Sequence, residues 1–150
     1  MATETIDRSF LGTGWKFPVT FRREWYGIEM LSDEAIVHNS IQIILSTVQG
    51  ERIMLPTFGC NLQPWVFESM NVPTIAMVEK MVKDALTFHE PRIIVGDLVS
   101  TPYPDQGLLE ININYTLIVT NTRYNYVFPF YMNEATNIET SLLAEQIKSI

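Results

Sequence analysis

The sequence predicts an α+β fold: two main helices packed on a small antiparallel sheet that ends in a long C-terminal β-hairpin. Residues 33–49 put Val37, Ile41, Ile44 and Val48 on one helical face. Residues 73–89 put Ile75, Val78, Val82, Ala85, Leu86 and His89 on another, at the same 3.6-residue period. Beyond Pro91 the period becomes two. Leu109, Ile111, Ile113, Tyr115, Leu117 and Val119 alternate with a more polar set, and Tyr124, Tyr126, Phe128 and Phe130 repeat the alternation.

Taken in order, residues 1–9 form a polar lead-in, 10–132 the folded domain, and 133–150 a tail or short helix with Ile138, Leu142, Leu143 and Ile147 at loosely helical spacing. Gly12 and Gly14 can supply positive φ, and Trp15 and Phe17 are expected to fold back onto the core. With no strand before these glycines, no helix after them and no Walker lysine, a phosphate loop is a poor alternative. Phe21 to Met30 is irregular or a short strand broken at Gly27. Ser32-Asp33-Glu34 offers a capping hydroxyl and two first-turn acids, and Gly50 stands where a left-handed helix cap is expected. Residues 64–69 suit a helical turn carrying Trp65 and Phe67, and Pro73 suits a first helical turn. Pro91 stops the second helix, because it lacks an N–H and disfavours helical geometry just before it. Strands are expected at Ile93–Thr101, 108–119 and 123–132, joined by Pro102, Pro104 and Gly107 and by Thr120-Asn121-Thr122. Pro129 places the last strand at a sheet edge.

With 150 residues and a net charge of −7, the chain fits one folded domain and lacks the basic surface of a nucleic-acid or anionic-membrane binder. Arg22-Arg23 is its only adjacent basic pair. The lone Cys60 cannot form an internal disulfide and reads as a small packing residue. No apolar run approaches the ~20 residues of a membrane span, and the acidic N-terminus is unlike a secretory signal. The expectation is a cytoplasmic protein, or one carried out within a larger object. His38 and His89 are the only histidines and form no metal pattern, so His38 is expected to be satisfied or at the surface, and no cofactor or metal is expected.

Glu90 carries the sharpest local chemistry. A carboxylate at a helix C-terminus, beside unpaired carbonyls, implies a compensating cation, and both Arg92 and Arg52 are candidates. As a surface ion pair it would be worth ~0–1 kcal/mol, so Arg92→Ala would spare the fold. The pair serves either as a helix stop or as a docking motif whose Arg offers a planar fork to a partner. The aromatic edge strand raises a parallel choice between cover by the chain's own tail and pairing with another chain.

Phe10-Leu11-Gly12-Thr13-Gly14-Trp15-Lys16-Phe17-Pro18, Ser40-Ile41 with Ile44-Leu45, Gly50-Glu51-Arg52-Ile53-Met54 through Phe58-Gly59, and Glu90-Pro91-Arg92, in this order, resemble the small baseplate-wedge, sheath-initiator family of contractile tails. Tyr115 and Pro129-Phe130 fit its C-terminal hairpin. The family includes the "tail lysozyme-like" wedge protein of myoviruses, the TssE component of type VI secretion and a counterpart in extracellular contractile injection particles. The resemblance implies assembly without turnover. Glu90, Pro91 and Arg92, supported by Glu51 and Arg52, would dock on larger wedge subunits. The edge bearing Tyr124, Tyr126, Val127, Phe128 and Phe130 would template the first sheath ring by strand pairing. Hub or spike proteins are further possible partners; nucleic acid, membrane insertion and a small-molecule substrate are not implied. The rival is a peptidoglycan-cleaving glycosidase, for which Glu51, Glu68 and Glu90 would be the candidate carboxylates.

Overall fold

The computed structural model describes residues 11–22 and 27–132. The proposed lead-in and the tail with its helical spacing lie outside them. Two short antiparallel pairs open the fold: β1 (Thr13–Trp15) with β4 (Met30–Ser32), and β2 (Phe21–Arg22) with β3 (Gly27–Ile28). Helix α1 (Asp33–Ser46) and helix α2 (Val72–His89) follow, joined by a long connection that includes a 3₁₀ turn, Gln63–Trp65. A three-stranded antiparallel sheet completes the domain: β5 (Ile93–Tyr103), β6 (Leu108–Leu117) and β7 (Arg123–Tyr131), in the order β5-β6-β7.

The core forms where three apolar rows meet. Val37, Ile41 and Ile44 come from α1, Val78, Val82 and Leu86 from α2, and Leu109, Ile111, Ile113, Tyr115 and Leu117 from β6. Full burial of an aliphatic side chain is worth roughly 1.5–3 kcal/mol, which outweighs helix propensity in holding these elements. Cys60 packs in the same core, and burial pushes its thiol up to about 12, so it is inert.

Several local expectations are corrected. Ser32 precedes α1 but makes no capping bond: it is the last residue of β4, paired with Thr13, and Asp33 turns through a left-handed φ of 59°. The helix ends at Ser46, short of residue 49, because Thr47 is pulled into extended geometry. Its carbonyl accepts Cys60 N–H at 2.9 Å and its hydroxyl bonds Ile43 O at 2.7 Å. Gly50 does adopt a positive φ, 89°, but in the turn beyond the helix. Trp15 is 61% exposed and does not fold back. Gly14 instead faces α1, where a Cβ would press on Ile36, so strand alternation turns Trp15 outward. The Asn39 side chain holds this segment, accepting Phe17 N–H at 2.9 Å and donating to Trp15 O at 3.2 Å. His38 is half-buried, and it is not a fully satisfied histidine. It packs among the rings of Tyr115, Tyr124 and Tyr126, its Nε2 has no partner, and burial lowers its pKa.

Asn71 caps α2 by accepting Thr74 N–H at 2.9 Å, with Pro73 in the first turn. At Gly59, φ is 108° and an added Cβ would collide with the Thr47 carbonyl. Gly59→Ala is therefore expected to lower stability by at least about 1–3 kcal/mol, measured as a reduced urea midpoint.

Candidate docking site and sheet border

Glu90 closes α2, with its N–H on Leu86 O at 2.9 Å. Its side chain is 2% exposed. Arg92 grips it with two parallel bonds, Nε to Oε1 and Nη2 to Oε2, each 2.6 Å. Arg92 Nη1 continues to Leu11 O at 2.9 Å, and the Ser40 hydroxyl of α1 also bonds the carboxylate. Four segments therefore meet on one ion pair. Burial alone would raise the Glu90 pKa, but the bonds and charge of Arg92, with Ser40, outweigh it and hold the carboxyl below its ordinary value. Glu90 in turn raises the Arg92 pKa.

Of the two candidate cations, Arg92 pairs with Glu90. Arg52 instead lies over the Phe58 ring at 4.0 Å, and Phe58 contacts His89 at 5.0 Å, next to Glu90 in the chain. Glu51 accepts Val48 N–H at 3.2 Å. Gly50 N–H on Pro56 O at 2.8 Å closes this connection into a compact loop. Its tip presents Ile53 and Met54, 93% and 94% exposed. The sequence-predicted docking residues thus fall in one neighbourhood, around an inward-facing clamp and an outward-facing apolar loop. The Leu11 carbonyl and Ser40 had no local signal.

The border of β7 follows from hydrogen-bond parity. In an antiparallel sheet each residue turns both its N–H and its C=O to the same side, and the sides alternate. Ile118 N–H bonds Arg92 O and Leu117 N–H bonds Thr122 O, so even residues of β6 face β5 and odd residues face β7. Met132 N–H on Gly107 O agrees. With the register Ile111↔Phe128 and Ile113↔Tyr126, even residues of β7 bond to β6, while Arg123, Asn125, Val127, Pro129 and Tyr131 turn outward. No bond from a described residue occupies the outward N–H groups. The side chains of Tyr124, Tyr126 and Phe128 are half-buried and that of Phe130 is buried, against the core. Tyr124 donates its hydroxyl to Glu34 at 2.6 Å. Of the five predicted edge residues, Val127 alone offers its backbone at the border; Arg123, Asn125 and Tyr131 were missed. Pro129 held the signal for all of them, since a proline in a ladder sits with its missing N–H outward.

Two grooves formed by described residues bring no carboxylate pair together. A shallow one of about 610 Å³ over the β5–β7 end includes Asp97, and one of about 460 Å³ between α2 and the loop includes Asp84 and His89. Among the described residues no cluster of His, Cys, Asp or Glu could hold a metal, and no helix is long and apolar enough to cross a membrane.

Among the described residues, the chain is a small α+β module with an internally clamped helix end and an unpaired sheet border. The family model for baseplate wedge protein gp25 matches residues 31–122, and the chain belongs to that family. It is 33% identical over 82 residues to baseplate wedge protein gp25 of Enterobacteria phage T4, a match spanning 55% of this chain and 62% of the T4 protein. The crystal structure of a putative tail lysozyme from Geobacter sulfurreducens is 42% identical, covering 71% of this chain and 97% of that one with a TM-score of 0.65. A chain of the anti-feeding prophage baseplate (20% identical, 90% and 95% covered, TM-score 0.63) shares the fold. So does a chain of the post-contraction pyocin R2 baseplate (24%, 66% and 97%, TM-score 0.54).

The burial of Glu90 corrects the expectation that the ion pair is a surface one. Removing Arg92 strands a buried charge, so Arg92→Ala is expected to cost about 3–5 kcal/mol in urea unfolding at neutral pH. The pH dependence has a defined sign. In the parent protein the Glu90 pKa is depressed, so its contribution is full above the unfolded value and is lost as pH falls through the folded one. In Arg92→Ala the unpaired carboxyl rises instead, so the penalty should shrink on acidification. A gap constant from pH 7 to pH 4 would contradict the clamp.

Proposed function

We propose that this chain is a structural component of a contractile-tail baseplate. It docks on larger wedge subunits and offers its β7 border as the template for the first sheath ring. The observation that supports this is the outward row of backbone groups at Arg123, Asn125, Val127 and Tyr131, in a chain of the wedge family. A strand added there gains main-chain hydrogen bonds, and its alternate side chains give specificity. Pro129 withholds one donor, so the incoming strand meets a fixed gap in the ladder that helps set register. Tyr124, Tyr126, Phe128 and Phe130 support the border from beneath by anchoring β7 to the core.

Docking falls to the end of α2 and the loop beside it. Glu90 and Arg92 act from within, fixing exposed Pro91 and the adjoining loop of Glu51 and Arg52. The apolar tip Ile53–Met54 is the contact surface for a wedge subunit. The partners are therefore other baseplate proteins and the sheath protein, in a phage tail or tail-like particle assembled in the cytoplasm. The Geobacter sulfurreducens relative is described as a putative tail lysozyme, but a glycosidase acid needs a raised pKa and a facing carboxylate. Glu90 is locked to Arg92 and held low.

Val127→Pro removes only an outward N–H and is expected to preserve the fold and cut sheath nucleation on baseplates at least tenfold, scored by electron microscopy. Tyr126→Pro removes a rung bonded to β6 and should unfold the hairpin. Normal sheath on Val127→Pro baseplates would defeat the template role. Met54→Asp should leave the melting temperature unchanged and reduce co-purification with wedge subunits at least tenfold. Unchanged recovery would move docking away from this loop.

A further inference from the structure

The sheet has two borders, and they are built differently. The parity that opens β7 turns Ile93, Val95, Leu98, Ser100 and Pro102 of β5 outward on the opposite side. Three of these five positions offer no free N–H to an added strand, and the other two flank a break in the ladder. Ile93 N–H is bonded to Glu90 O at 3.3 Å, and Pro102 has no N–H. An extra residue at Gly96–Asp97 shifts the register between Val95 and Leu98. Ser100 N–H, which would otherwise stand open in the straight part of the strand, is bonded by Glu79 Oε1 of α2 at 3.0 Å.

We infer that Glu79 is a gatekeeper that seals the β5 border, so that strand addition is confined to β7 and the free protein does not pair edge to edge with a second copy through β5. An ionised carboxylate suits this task. It accepts the Ser100 N–H but has no donor for the carbonyls of an incoming strand. Its charge also stands where an added backbone would run, a placement that blunts exposed sheet edges. No described side chain plays this part along β7. The confinement of growth to one side rests on the template role proposed above; the seal rests only on the sheet itself.

The test uses the isolated full chain. Glu79→Ala keeps a strong helix former at an α2 position and exposes the Ser100 N–H. The variant is expected to self-associate with an apparent dimer dissociation constant at least tenfold below that of the parent, by sedimentation velocity. In dilute protein the Ser100 amide should exchange hydrogen at least tenfold faster. Glu79→Gln retains an acceptor oxygen and should keep Ser100 protected and the protein monomeric. Adding Pro102→Thr to Glu79→Ala restores a second donor and should strengthen association further. Monomeric Glu79→Ala and Glu79→Ala/Pro102→Thr proteins at the highest soluble concentration would overturn the gatekeeper, whatever the exchange rate at Ser100. That result would leave the template role of β7 intact, whereas normal sheath on Val127→Pro baseplates would remove the template role and leave the seal standing.

Discussion

A carboxylate buried at the end of a helix is the constraint around which this domain is arranged. Glu90 follows a helix whose last carbonyls repel negative charge, and at 2% exposure it has almost no water to compensate. Only a cation with two parallel donors can hold it there, and Arg92, two residues on, supplies them across the Pro91 turn. The third Arg92 contact reaches Leu11, far away in sequence, and Ser40 brings in α1. Buried ion pairs of this kind often stabilise no better than well-packed apolar residues would. What the pair provides is position: the end of α2, the first residue of β5, the N-terminal segment and α1 are tied to one another by directional bonds.

That fixed start propagates along the sheet. Arg92 O accepts Ile118 N–H at the mouth of the β5–β6 ladder, and from there alternation decides which way every backbone group points. In β7 the same alternation sorts side chains. Residues whose backbone bonds to β6 send aromatic rings into the core, and residues whose backbone faces outward send Val127 and Pro129 to the solvent face. The aromatic residues and the open border are thus complementary sets on one strand. One anchors and the other is available.

Much of the fold was legible because periodicity reports burial directly. Both helices, the change of period after Pro91, the long hairpin and its edge strand are all observed. What escaped was set by contacts distant in sequence. No local pattern says that Thr47 will be drawn out of α1 by Cys60 N–H. Nor does one say that Gly14 serves a close approach to Ile36 and so turns Trp15 to solvent. Glu90 and Arg92 were identifiable as a pair, but the choice between Arg92 and Arg52 and the depth of burial depended on how α1 and Leu11 close over them. The aromatic residues of β7 drew notice through their size, although the border belongs to the residues between them. Pro129 marked the border's parity in the sequence, through a missing N–H.

The asymmetry of the two borders joins these observations into one mechanical picture. A strand template is useful only if its register cannot slip and if it is used on one side. Slippage is opposed by the aromatic row of β7 in the core and by the Glu90–Arg92 clamp at the start of β5. On the β5 side, Ile93 is tied to the clamp residue's own carbonyl, a bulge breaks the ladder, Glu79 occupies Ser100 and Pro102 ends the row of donors. Helix α2 therefore serves the sheet twice. Its last residues fix where β5 begins, and Glu79, nearly three turns earlier, closes the outer side of β5. Under the template role proposed for β7, the single helix that positions the sheet also directs growth to its far edge.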